Sequence, residues 1–380
     1  MDDYFLNNAS NLIPKNVTTQ ILESENPMEF HKSLPGYKPT PLHNLSGMAR
    51  KFGLGAIYLK DESYRLGLNA FKGLGTSFAL SKVLNQQPKN TIFCTATDGN
   101  HGKAVAWSAR LQNKKSVVFV PQNTSLERIQ NIEKDGATVI DTGQNYDETC
   151  RIAKEKAAQN GWVLIQDTAW EGYEEIPAYI MAGYLTQFQE IEKQLDSLEK
   201  IDVIMLQAGV GSWAAAGIWY FVKNLKTKPK LVIVEPYESD GILASFKAGK
   251  RVSPNGNFKT IMAGLNCGIP SFSAWDIIKN GADASLRIKD DYAKIAMQEL
   301  YTPTLNDPQI VAGESGVGGL AGLLYLMSNP NAQNLRNHLQ ISSNTNVLCI
   351  STEGATDKKM HEKIINQANI KKIALKFTSN

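Results

Sequence analysis

Short apolar runs alternate with longer amphipathic ones along most of this chain. Ile57-Tyr58-Leu59-Lys60 has the length and composition of a strand, and a helix-like run from Gly73 to Leu84 follows it. Thr91 to Ala96 is apolar and short enough for a buried strand. It feeds into the small-polar loop Thr97-Asp98-Gly99-Asn100-His101-Gly102 and then a helix from Lys103 to Leu111. The order continues with strand-like Ser116 to Val120, helical Leu126 to Lys134, strand-like Val139-Ile140, helical Tyr146 to Asn160 and strand-like Val163 to Ile165. A second series has strands at Val203 to Leu206, Leu231 to Val234 and Val347 to Ile350, with helices from Ile180 to Phe188 and from about Trp213. Alternation of this kind predicts an α/β fold of parallel sheets with helices on their faces.

At 380 residues the chain is too long for one compact core and suits two domains. It contains no internal repeat and no long low-complexity linker, so the boundary is a chain crossing between packed lobes. A hydrophobic share of 42% permits two cores, and a formal net charge of +3 with acids and bases interleaved implies neither a nucleic-acid stripe nor a membrane patch. Cys94, Cys150, Cys267 and Cys349 are too far apart for a zinc or redox motif, and Cys94 and Cys349 read as core residues. Met1-Asp2-Asp3-Tyr4-Phe5 is no secretory signal and no run approaches a transmembrane length, so a reducing cytoplasm is expected.

Candidate chemistry clusters at the junctions. Lys72, in Asn69-Ala70-Phe71-Lys72, sits between a strand and a helix, where Phe71, Leu74 and Phe78 offer the burial that lowers an amine's pKa and makes it a nucleophile toward aldehydes. The Thr97–Gly102 loop opens a helix, which makes it an anion site, and Asp98, Asn100 and His101 have more hydrogen-bonding capacity than one cap needs. Gly209-Val210-Gly211-Ser212 lies between a buried strand and a helix and reads as a phosphate cradle. The same residues with Trp213-Ala214 also fit a dinucleotide G-x-G-x-x-A pattern, with Glu235 at a plausible distance for a ribose. Asp167 ends a strand, where a carboxylate points into a ligand crevice and suits an ammonium partner. His31, His43, His338 and His361 are scattered, and no metal site is expected.

Asn-Ala-Phe-Lys followed by Asp-Gly-Asn-His-Gly resembles the fold type II family of pyridoxal-phosphate enzymes. Tyr37 to Leu42, Glu127 to Ile132 and Gly136 to Val139 extend the resemblance over most of the chain. Asp98, Gln166 to Tyr173, Met262 to Leu265 and Ser351 to Gly354 are similar to segments of the diaminopropionate ammonia-lyases within that family. The resemblance implies a tryptophan synthase β-like fold. Its larger cofactor-binding domain would span 1–84 and 187–380, and its inserted smaller domain 85–186. It also implies a homodimer and pyridoxal 5'-phosphate bound to Lys72 as a Schiff base. Asn100 would meet the ring hydroxyl, Gly209, Val210, Gly211 and Ser212 the phosphate, and Ser351 or Thr352 the pyridine nitrogen, with Gly313 to Gly319 lining the cofactor. Lys72 and Asp98 become bases on opposite sides of the substrate, with Thr97, His101 and Asp167 around it. The implied reaction is elimination from D- or L-2,3-diaminopropionate to pyruvate and ammonia. A serine or threonine dehydratase, a β-replacement synthase and a non-catalytic amino-acid-binding protein are the alternatives.

Overall fold

The computed structural model describes residues 2–84, 86–97, 99–303 and 305–367. Eleven strands among them form two sheets: β1 (Tyr4–Leu6), β2 (Leu42–Asn44), β3 (Ala56–Asp61), β4 (Ile92–Ala96), β5 (Lys115–Val120), β6 (Thr138–Asp141), β7 (Val163–Leu164), β8 (Val203–Gln207), β9 (Lys230–Pro236), β10 (Ala284–Ile288) and β11 (Asn346–Ser351). The larger sheet has the order β1-β10-β9-β8-β11-β3-β2 and the smaller β6-β5-β4-β7. The smaller sheet is parallel throughout. The larger departs from the parallel expectation at its edges, where β1 and β2 run antiparallel to their neighbours. Both edge strands are three residues long, too short to carry a periodic signal in sequence.

The central strands of the larger sheet are apolar on both faces because helices cover both. Ile204, Leu206, Leu231, Ile233, Leu348 and Ile350 enter one core cluster, and Val203, Met205, Val232, Val234, Val347 and Cys349 enter another. These are alternate residues of β8, β9 and β11, as the period of two along a strand requires. The first cluster is closed by helices Lys72–Leu84, Glu175–Gln194 and Ser212–Asn224, the second by Asp290–Tyr301 and Gly318–Ser328.

Two glycines bring helices Lys72–Leu84 and Glu175–Gln194 together. A Cβ on Gly75 would lie 2.8 Å from the Ile180 carbonyl oxygen, and one on Gly183 would lie 2.5 Å from that of Leu74. The second helix begins before the expected Ile180 and runs through position 186/187. Cys94 and Cys349 are fully buried, and burial pushes the Cys94 thiol up to about 12. No helix among the described residues is long and apolar enough to cross a membrane.

The topology positions the site. β3, β11 and β8 are mutually parallel neighbours, so their carboxyl ends lie at one edge of the larger sheet. β4 and β7 likewise end together at one edge of the smaller. The segments that leave β4, β7, β8 and β11 line one cavity between the sheets, the position a ligand takes in open α/β sheets.

Candidate active site

Lys72 is placed by a segment sewn to the far end of the chain. Phe71 N donates to Thr352 O at 3.1 Å and Gly354 N donates to Asn69 O at 3.0 Å, so Asn69–Phe71 is tied to the turn after β11. Asn69 takes a left-handed backbone, φ 63°, and its side chain fills the space a Cβ on Gly354 would need. Lys72 then starts its helix with its amine in the cavity.

The amine donates to Asp167 Oδ2 at 2.5 Å. Burial alone would lower its pKa, as the flanking apolar residues suggest. The attraction of Asp167, with a smaller contribution from Tyr184, outweighs burial and holds Lys72 above the usual lysine range. The expectation of a depressed lysine is therefore corrected for the protein without cofactor, where the amine is a paired cation. Asp167 mirrors it: burial pushes its carboxyl up, but Lys72 and then His101 pull it down to about 2.

His101 lies in the first turn of a helix that starts at Asn100 rather than Lys103. Its Nε2 is 2.8 Å from the Ile165 carbonyl oxygen, which only accepts, so Nε2 carries the proton and Nδ1 is bare. Nδ1 has no hydrogen-bond partner and stands 3.7 Å from Asp167 Oδ2. Burial lowers the ring's pKa, so the imidazole is neutral. Asn100 donates its side-chain amide to Glu353, and Thr97 lines the cavity. Asp98 lies outside the described residues.

The glycine turn after β8 is shaped for close approach. Gly211 has φ +93°, and a Cβ there would stand 2.7 Å from Ile278 Cδ1; one on Gly209 would stand 2.8 Å from Cys267 Sγ. Helix Ser212–Asn224 begins at this turn without a side-chain cap, so its leading N–H groups are available to an anion. The Ser212 hydroxyl donates to Asp167 O at 2.6 Å, which ties the cradle to the ammonium-binding residue. The dinucleotide alternative fails at Glu235. Its carboxyl is buried and accepts from Ile242 N at 2.7 Å and Leu243 N at 2.8 Å, so it caps helix Gly241–Ala248 and has no face for a ribose.

Thr352 lines the cavity and Ser351 does not. The Ser351 hydroxyl donates to Glu353 O at 3.3 Å. Thr352 Oγ1 accepts from Gln207 Nε2 at 3.0 Å, which leaves its own O–H to donate. Gln207 and Glu353 are the polar residues that sequence reasoning passed over. Gln207 Nε2 also reaches the Gly316 and Ile350 carbonyl oxygens, both at 2.9 Å, and Glu353 Oε1 accepts from Ser315 N at 3.1 Å. The available signal was a glutamine closing an otherwise apolar strand, and a glutamate among small residues in a turn.

This geometry comprises a lysine beside a capless helix start, in a cavity at the carboxyl ends of parallel strands. The chain belongs to the family described as pyridoxal-phosphate dependent enzymes, which it matches over residues 33–353. It is 40% identical over 385 aligned positions to the diaminopropionate ammonia-lyase of Salmonella typhimurium, covering 94% of each chain. Among solved structures it is similar to diaminopropionate ammonia lyase from Escherichia coli in complex with D-serine, with a TM-score of 0.87, 35% identity and 97% of each chain covered. The complex of the same enzyme with an aminoacrylate-PLP azomethine reaction intermediate gives a TM-score of 0.86 at 36% identity, again over 97% of each chain.

The residues present fit pyridoxal phosphate. The turn Gly209–Ser212 and the capless helix start after it face the cavity that holds the Lys72 amine, and His101 Nδ1 and Gln207 Oε1 are buried polar atoms with no partner in the protein.

Proposed function

We propose that the protein is a pyridoxal-phosphate dependent carbon–nitrogen lyase that removes the β-amino group of D- and L-2,3-diaminopropionate, ending in pyruvate and ammonia. The observation that carries this reading is Asp167, a buried carboxylate that already holds an alkylammonium group, that of Lys72. Attachment of Lys72 to a cofactor removes that charge, and the second ammonium group of a diamino acid restores a cation to Asp167. Serine and threonine have no such group to offer.

Pyridoxal phosphate, when bound, supplies an electron sink for the pair left at Cα. Lys72 would hold it, the Gly209–Ser212 turn would take its phosphate, Asn100 would meet the ring hydroxyl and Thr352 would serve the pyridine nitrogen. Between the two hydroxyls first considered, Thr352 is favoured because its oxygen already accepts from Gln207 and its proton points elsewhere. A hydroxyl does not hold the ring protonated as a carboxylate would, which suits loss of a β leaving group over transamination. Lys72 takes the α-proton from one side and Asp98 from the other, so each base serves one enantiomer. Thr97 and His101 border the substrate. Asp167 keeps the β-nitrogen in its ammonium form, so it departs as ammonia when its bond to Cβ breaks. Tautomerisation and hydrolysis of the remaining enamine give pyruvate and the second ammonia.

The cofactor would belong to a larger domain of 1–84 and 187–380, with 85–186 inserted. The strands of the smaller sheet all fall within the insertion, which supports that division. Four cysteines outside any disulfide suit a reducing cytoplasm, and the family implies a homodimer. The test is to incubate holoenzyme with D- and L-diaminopropionate, L-serine and L-threonine and to measure 2-oxoacid and ammonia. Both diamino acids should be turned over faster than either hydroxy amino acid. A preference for serine or threonine would replace this reading with a dehydratase, and binding without 2-oxoacid would replace it with a non-catalytic amino-acid-binding protein.

A further inference from the structure

A second cavity, open to solvent, adjoins the first. Tyr146 lines both, and Gly264, Cys267 and Ser315 of the inner wall are sequence neighbours of Ala263, Gly268 and Glu314 of the outer. The outer cavity is therefore the approach to the inner one from between the sheets. Its charged wall residues are Arg128, Asp147, Glu314 and Asp357.

Glu314 is the anomaly among them. It is 2% exposed, yet neither carboxyl oxygen has a hydrogen-bond partner. Asp357, by contrast, caps a helix through Met360 N at 3.0 Å. A buried carboxyl without partners is costly, and native proteins seldom keep one unless it answers to a ligand or carries a proton. Burial raises its pKa to about 7; Glu353 and Asp357 add to the rise, and Arg128 opposes it. The group is thus poised to ionise when a cation arrives. A diamino acid brings two ammonium groups and one carboxylate, so an unpartnered carboxyl on the approach favours it over a neutral amino acid.

We propose that Glu314 forms a second ammonium-binding site, in the wall of the outer cavity, which receives the primary ammonium group of a diamino acid on its way to the Lys72 cavity. The inference depends on the diamino-acid reading above. The same chemistry would accept the ammonium ion released by the reaction.

The test uses holoenzyme carrying Glu314→Gln and, as an apolar counterpart, Glu314→Met. Because the Glu314 carboxyl has no hydrogen-bond partner elsewhere in the protein, both variants should fold with unchanged cofactor content and melting temperature. KM for diaminopropionate should rise about tenfold, the scale of one lost hydrogen bond to a charged group, with kcat within about twofold. The kcat/KM for L-serine should change by no more than about twofold. Ammonium chloride that competes with diaminopropionate in the wild type but not in the variants would extend the site to the free ion. Absence of competition with the KM effect intact would assign it to the diamino acid alone. An unchanged KM, an equal loss for serine, or failure of both variants to fold would overturn the proposal, the last by making Glu314 structural. If wild-type enzyme does not turn over diaminopropionate at all, the functional reading fails first, whatever the variants do.

Discussion

At Lys72 and Asp167, burial opposes the charge on each residue and their mutual attraction favours both. The attraction wins. Asp167, depressed to about 2, contributes stability above its unfolded pKa near 4 and loses it only as pH falls through about 2. Lys72, raised, contributes below its unfolded pKa of about 10.4 and loses that contribution at higher pH still. Across neutral pH the pair stays ionised, so cofactor attachment must displace a proton from a stabilised ammonium. Borohydride reduction of holoenzyme followed by peptide mapping should label Lys72, and a label on another lysine with Lys72 unmodified would end the assignment. Asp167→Asn should lower kcat/KM for both enantiomers of diaminopropionate by about 2–5 kcal/mol in transition-state terms, the scale for one partner of a buried charge pair, and lower it less for L-serine. Asp98→Asn should lose the D-isomer and keep more of the L-isomer. Equal losses on all three substrates in both variants would contradict these roles. Lys72, Asp167 and His101 were legible because each sits at a strand–helix junction. That Asp167 reaches Lys72 was not, since the pairing joins two sheets and leaves no trace in local pattern.

Among the elements, strands with continuous apolar runs were readable where helices cover both faces, as in β4, β8, β9 and β11. The edge strand β1 and the helix start at Asn100 were not, whereas the starts at Leu126 and Tyr146 were. Asn100 and His101 belong to a helix whose cap, Gly99, makes no side-chain hydrogen bond, so the usual start signal is absent. Helix Gly241–Ala248 hides its start differently, because its capping carboxyl comes from Glu235 at the end of β9. Burial raises Glu235 to about 8, against the pull of those two N–H groups. A carboxyl raised in the folded state binds more protons there than in the unfolded chain. Stability should therefore fall as pH rises from about 4.5 toward 8. Glu235→Gln should flatten that slope while costing about 1 kcal/mol at pH 5 through one lost acceptor. Melting curves of both proteins between pH 5 and 8 test this, and parallel slopes would refute it.

Over the whole molecule, the sequence told most of the strands, though not β1, β2 or β10, and not what clamps the sheets. Lys60 at the end of β3, Glu62 and Arg65 in the turn after it, and Glu190 in helix Glu175–Gln194 form a buried ionic group. Glu190 accepts from Arg65 Nη1 and Nη2, both at 2.7 Å, and from Lys60 at 2.8 Å. Charged residues at such positions read as surface in a one-dimensional pattern, and only the fold shows them enclosed. Glu190→Gln should cost about 3–5 kcal/mol in denaturant unfolding, because it takes the carboxylate from buried Lys60 and leaves Arg65 with Glu62 alone. A loss below about 1 kcal/mol would mean that water reaches them.

The position of β11 also has a consequence for biosynthesis. It is the last strand among the described residues, yet it lies in the interior of the larger sheet, hydrogen-bonded between β8 and β3, and the turn after it fixes the segment that presents Lys72. A growing polypeptide that has emerged only as far as residue 340 has its lysine, its glycine turn and its smaller sheet, but a gap between two halves of the other. The segment that presents the amine is therefore pinned only once β11 has closed the gap between β8 and β3.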